Sequence, residues 1–154
     1  MEQANNQLVT IRVEDEHFGI PIMQVYEIIF VPRLTGIAKA PHAIVGVINL
    51  RGKIIPVIDL RLLFGKPVSE ATKRQRIVVT QCQGKTIGLL VDEVTEVLRI
   101  QSSELEDAPD AIRTKFTGYI DSIYKMKDKI VILLRMDQLL DAGKMEVVHQ
   151  ELDT

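Results

Sequence analysis

The chain of 154 residues has no tryptophan, a single cysteine and few aromatic side chains, 5% in all. One cysteine, Cys82, excludes an internal disulfide and suits a reducing compartment. Scarce aromatics make the core aliphatic and leave little on which exposed nucleobases could stack. An excess of one charge is also lacking: 19 basic against 21 acidic residues give a net charge of −2. Nucleic acid and anionic membrane surfaces both call for a basic excess, so neither is expected as a partner. Apolar runs are broken by Asn49, Arg51 and Asp59 well short of a membrane span. The opening residues 1–7 have neither the positive charge nor the apolar stretch of a signal peptide. These absences lead us to expect a soluble cytoplasmic protein with no direct membrane insertion.

Reactive constellations are missing as well. His17, His42 and His149 fall in a turn, a loop before a strand and the tail, none with acidic or thiol partners at metal-ligand spacing. They read as solvated histidines. Cys82 has no histidine nearby in sequence and reads as an inert thiol at a strand end. No glycine-rich phosphate loop and no Gly-x-Ser-x-Gly elbow occurs. The expectation is a protein that is not an enzyme and uses no metal and no cofactor.

What is present is a strong pattern of short strands. Hydrophobic residues make up 46% of the chain, enough for one ordinary domain or two very small ones. In residues 44–60 two runs rich in β-branched residues flank Arg51-Gly52, the pattern of a hairpin. Gly52 suits the turn because a positive φ costs it little. Pro56 lacks a backbone donor, which predicts an edge strand or a bulge. Asp59 stands where a helix N-cap belongs, and a short apolar helical patch follows and stops at Gly65. Arg51 reads either as a solvated turn residue or as a docking cation. The turn itself needs no arginine, and arginine is the side chain best suited to bidentate pairing with a carboxylate.

Further strand-like runs cover 8–13, 18–22, 24–31, 77–81, 86–90, 93–100, 117–124 and 129–134, about ten strands in all. Residues 101–114, polar and acidic with Pro109, read as a loop with a helical turn. The series is duplicated. Residues 18–29 align without a gap on 87–98, with Gly19/Gly88, Val25/Val94 and Glu27/Glu96 identical. Residues 53–58 align on 129–134, and each copy is followed by a helical patch, Asp59 to Gly65 and Asp137 to Gly143. Two five-stranded units, each too small for a generous core, are expected to pack on one another. We place them over roughly 15–65 and 77–140, with strand 8–13 joining them in a single domain of 1–154. The Arg51-Gly52 turn occurs in one copy only, which ranks Asn49, Arg51 and Gly52 above the duplicated apolar positions as functional candidates. The run 25–31 carries more apolar residues than one buried face needs, so the surplus should face the other unit or a partner.

The segment Gly46-Val-Ile-Asn-Leu-Arg-Gly52, with Ile55-Pro-Val-Ile-Asp-Leu60 and Phe64-Gly65, resembles the signature hairpin of CheW-type chemotaxis coupling proteins. The resemblance extends over about residues 7–141. It implies an all-β fold of two SH3-like five-stranded β-barrels packed together, with short helical turns. It further implies a non-enzymatic adaptor linking the cytoplasmic tip of chemoreceptors to the regulatory domain of a CheA-type histidine kinase. Such an adaptor is cytoplasmic and recruited to receptor arrays at the inner face of the membrane. On this footing Val25, Glu27, Ile28, Val94 and Val97 are expected to bind receptor in the groove between barrels, Arg51 with Asn49 to pin the groove-side turn and contact the receptor, and Gly46 and Gly52 to be backbone-critical for assembly. Alternatives are an adaptor for another chemosensory-like pathway, serving twitching motility or second-messenger output, a small-molecule sensor using the groove, and an SH3-like nucleic-acid-binding protein.

Overall fold

A computed structural model describes residues 7–37, 43–67, 70–116 and 118–140. Its strands are β1 (Gln7–Val13), β2 (Glu16–Pro21), β3 (Val25–Phe30), β4 (Ile44–Leu50), β5 (Lys53–Asp59), β6 (Arg76–Cys82), β7 (Lys85–Val91), β8 (Glu93–Arg99), β9 (Leu105–Glu106), β10 (Ile120–Lys125) and β11 (Ile130–Leu134). Three short helices accompany them: α1 (Leu60–Leu63), α2 (Asp110–Lys115) and α3 (Met136–Leu140). The expected helical patch after Asp137 is α3, while its terminal Gly143 and the tail 144–152 lie outside the described residues.

The strands form two mixed sheets, of order β3-β6-β7-β5-β4 and β8-β1-β2-β11-β10-β9. Each has one parallel pair, β5 with β7 and β2 with β11. The first sheet is consecutive in sequence, from β3 to β7, and is the central barrel. The second joins β1 and β2 to β8–β11 and is the terminal barrel.

This partition corrects the one expected from sequence. Residues 15–65 and 77–140 do not each close on themselves, and strand 8–13 is an interior strand of the terminal barrel rather than a joint between barrels. The duplication is real, but the copies exchange strands. The order β3-β6-β7-β5-β4 matches β8-β1-β2-β11-β10 strand for strand when the two copies are equated. Each copy therefore gives its first two strands to one barrel and its last three to the other. The chain changes barrel twice, through the 3-10 turn Ile22–Gln24 and through Asp92 alone. Alternating hydrophobicity identifies a strand and its buried face; it carries no information on which neighbour the strand pairs with.

Exchange puts the largest apolar cluster between the barrels. Val9, Ile11, Phe18 and Ile20 of the terminal barrel meet Ile58, Val78, Ile87 and Leu89 of the central one. Phe18 stacks on Phe64 at 5.1 Å between ring centroids and meets Phe116 edge-on at 5.4 Å. A fully buried side chain of this size contributes roughly 2 kcal/mol. Smaller clusters fill each barrel, around Ile48, Val57 and Ile77 in one and around Leu8, Ile100 and Leu133 in the other.

Pro56 is a second correction, because β5 is an interior strand between β7 and β4. Its missing N–H is not needed there. Pro56 faces Val47 in the β4 ladder, and Val47 exchanges both its backbone hydrogen bonds with Thr35 on its other side. The parallel ladder with β7 begins one residue later, at Val57. The expected bulge is found instead in β4, between Ile44 and Gly46.

Candidate docking surface

The β4–β5 hairpin ends in a two-residue turn with φ of 50° at Arg51 and 86° at Gly52. Two successive positive φ values give a turn whose twist matches the flanking strands. The Asn49 side-chain oxygen accepts a hydrogen bond from the Gly52 N–H at 3.0 Å, which fixes the turn. Arg51 is thus held in a left-handed conformation that few side chains adopt, and it projects from the mouth of the central barrel.

There it pairs with Glu27 of β3. One guanidinium nitrogen bonds a carboxylate oxygen and the second lies 3.5 Å from the other oxygen. The guanidinium also lies 5.8 Å from the centroid of the Tyr26 ring. The Glu27 hydrogen bond, with help from Tyr26, raises the Arg51 pKa further above its ordinary value. Because β3 and β4 are the two outermost strands of the sheet, this pair ties its opposite edges together. Arg51 stays well exposed and can engage a further partner. The mouth beneath it is a cavity of about 80 Å³ lined by Tyr26, Leu50, Arg51, Lys53, Ile55, Gln81 and Thr86. That is far below the several hundred Å³ of a usual small-molecule site.

Beside this pair, β3 alternates strictly between half-buried and exposed residues. Glu27 and Ile29 face into the barrel, while Val25, beyond a register irregularity, packs on the core shared by the barrels; Tyr26, Ile28 and Phe30 are 56%, 41% and 75% exposed. Met23, in the crossover just before β3, is exposed too. The Arg76 guanidinium sits 4.3 Å over the Phe30 ring. An end strand with an apolar outer row and a backbone edge that is unpaired among the described residues is a surface that proteins ordinarily guard against.

The residues expected in a common groove fall into separate places. Glu27, Asn49 and Arg51 come together at the barrel mouth. Ile28 lies on the opposite face of β3 from Glu27. Val25 and Val94 are half-buried and pack on the core shared by the barrels. Val97 is exposed on β8, the end strand of the other sheet. An open polar hollow of about 600 Å³ beside the Ile22–Gln24 crossover and α3 contains none of them. Gly46 is buried, and a Cβ on it would stand 2.6 Å from the Thr35 carbonyl oxygen, so it admits the close approach of residue 35. Sequence reasoning had the apolar surplus in 25–31 but did not single out Tyr26 and Phe30; their alternation with Glu27 was the available signal.

His17 departs from the solvated reading. It lies in β2, half-buried, with a buried Nδ1 that has no hydrogen-bond partner among the described residues. Burial lowers its pKa, and Lys129 and Arg12 lower it further. His42 and His149 lie outside the described residues. Among the described residues no group of three or more His, Cys, Asp or Glu could hold a metal ion, and no helix is long and apolar enough to cross a membrane.

A family model described as a CheW-like domain matches residues 7–144. The chain belongs to the CheW-like family. It is 30% identical to the chemotaxis protein CheW of Klebsiella aerogenes, over 96% of this chain and 89% of that protein. It is 28% identical to the chemotaxis protein CheW of Rhizobium meliloti, over 95% of this chain and 94% of that one. Among solved structures, the scaffolding protein TtCheW of Thermoanaerobacter tengcongensis superposes with a TM-score of 0.83 at 34% identity, covering 91% of this chain and 90% of that one. The fold is therefore the CheW fold of two SH3-like barrels, and the role that goes with the family is that of a chemotaxis scaffold.

Proposed function

We propose that this chain is a non-enzymatic adaptor that couples the cytoplasmic tip of chemoreceptors to the regulatory domain of a CheA-type histidine kinase. It acts in the cytoplasm, recruited to receptor arrays at the inner face of the membrane. Family membership supports the adaptor role. The observation that carries the site is the exposed row Tyr26, Ile28 and Phe30 beside the Glu27–Arg51 pair. An apolar stripe flanked by a fixed cation fits one face of an amphipathic helix that carries a carboxylate. Ile28 and the two aromatics give contact area; Arg51, fixed by Asn49 and Glu27, gives orientation. Val25 and Val94 act from behind, by keeping β3 and β8 seated on the shared core, and Val97 offers a secondary contact. Gly46 and Gly52 serve assembly through the backbone they permit.

The test is an affinity pull-down of the tagged protein from its native cells, with Arg51→Ala alongside. Wild type should recover a histidine kinase and a chemoreceptor, and the variant should lose receptor by roughly tenfold. Equal receptor recovery in the variant would remove Arg51 from the site, and recovery of neither partner would remove the coupling role.

A further inference from the structure

Where the barrels meet, a cluster of charges, buried at Asp59 and Arg61 and partly buried at Asp92, lies beside the apolar core. Arg61, on the first turn of α1, is 4% exposed. It is 3.4 Å from the carboxylate of Asp59 and 3.5 Å from that of Asp92. Asp59 belongs to the central barrel and also caps α1, accepting the Arg61 N–H at 2.9 Å. Asp92 is the single residue by which the chain crosses from β7 to β8. Its carboxylate accepts the Glu14 N–H at 2.6 Å, and its own N–H donates to the Arg12 carbonyl at 3.0 Å. Glu14 and Arg12 belong to the β1–β2 hairpin of the terminal barrel. Arg61 thus ties the helix of one barrel to the hairpin of the other through the crossover itself. Just beyond α1, Lys66 reaches the same hairpin, 3.5 Å from Glu14 and 3.0 Å from Glu16.

Two kinds of contact hold the barrels, and they differ in what they can specify. Apolar burial is strong but non-directional, so related sliding positions of two aliphatic faces differ little in energy. A buried ion pair adds little net stability, because desolvation offsets most of the attraction, but it tolerates one geometry only. We infer that the Asp59–Arg61–Asp92 cluster sets the orientation of one barrel relative to the other, while the apolar core supplies the stability. Arg61 is a positioning residue: buried where the barrels meet, it fixes the angle between the barrel mouth bearing Arg51 and the end strand β8. The inference holds whichever partners the barrels engage.

The experiment measures amide residual dipolar couplings on the full chain. The variant is Arg61→Met combined with Asp59→Asn and Asp92→Asn, which removes all three charges yet keeps both side-chain oxygens that cap backbone N–H groups. Wild-type couplings from the two barrels should fit one alignment tensor. In the triple variant each barrel should still fit its own, while a joint fit fails and the melting temperature stays within a few degrees of wild type. Asp92→Asn alone, which removes the charge that Arg61 meets at the crossover, should show the same separation to a smaller extent. One tensor for both barrels in the triple variant would overturn the inference. So would loss of fold, since the cluster would then carry stability rather than orientation.

Discussion

The end strands β3 and β8 are equivalent by duplication and differ in almost every exposed side chain. β8 is covered with polar contacts: Glu93 pairs with Arg12 at 3.0 Å, Glu96 with Lys129 at 3.5 Å, and the Thr95 and Thr10 hydroxyls lie 2.6 Å apart. Only Val97 breaks its polar row. β3 instead shows Tyr26, Ile28 and Phe30, and its one charged residue is turned inward to Arg51. The turns differ likewise. The β4–β5 hairpin closes in two residues with Arg51 at its tip, whereas the β10–β11 hairpin closes through a Met126 N–H to Lys129 carbonyl bond with no arginine in the turn. Charges on an end strand are the ordinary defence against unwanted strand addition. One copy keeps that defence and the other has given it up, which supports the docking role proposed for β3.

The largest effect is expected where the copies differ in backbone access. Gly46 and Ser122 occupy the same register, opposite Val57 and Leu133, each beside the irregularity in its ladder. Only Gly46 has the Thr35 carbonyl against it. Transplanting the other copy's residue, Gly46→Ser, should cost about 3 kcal/mol in urea unfolding, while Ser122→Ala stays within about 1 kcal/mol. Similar costs at the two positions would show that the close approach of Thr35 is not what requires glycine.

Next comes the edge itself. Giving β3 the character of β8, with Ile28→Glu and Phe30→Lys, should weaken receptor capture by at least roughly tenfold and leave the melting temperature nearly unchanged. A large fall in melting temperature would mean that the row is structural. The reciprocal site sharpens the contrast: Val97→Ala should change capture by less than about threefold, and a loss equal to that of the β3 variant would make the two edges one surface.

The smallest effect is a pH dependence confined to the terminal barrel. A histidine whose folded pKa is depressed favours the neutral form, so its contribution is complete above the ordinary value of 6.5 and is lost as pH falls toward the folded value. Glu16 adds a second loss at lower pH. Burial alone would raise its pKa, but hydrogen bonds and charge from Lys115 and Lys66 pull it below 4.5, so its contribution fades as pH falls through the folded value. Urea midpoints between about pH 7 and pH 5.5 should therefore fall in wild type and fall less in His17→Gln. Equal slopes would show that burial of His17 does not depress its pKa.

Local features were legible in the sequence because each is decided by neighbouring residues. The Arg51-Gly52 turn, the Asp59 cap and the stop at Gly65 follow from φ preferences and side-chain reach within a few positions. The repeat was legible too, since identical residues recur at β2–β3 and β7–β8. What stayed hidden depends on distant partners. Nothing near Val25 says that β3 will leave the barrel of β2, and nothing near Asp92 says that one residue will carry the chain across. Pro56 was misplaced for the same reason, as its tolerance rests on Thr35 taking both bonds of Val47. The Arg61 cluster joins three elements whose meeting only the exchanged topology provides.

Strand exchange also imposes a sequence of events on folding. The central barrel is built from consecutive strands, so all its ladders can form once Val91 has left the ribosome. β1 and β2, made first, have no place in that barrel; they must wait for β8 and β11, near the opposite end of the described chain. Early strands of this kind bear long loop-closure penalties and spend time with unpaired edges. Arg12, Glu14 and Glu16 keep the waiting hairpin charged, so the feature that joins the finished barrels also guards the unfinished one against association.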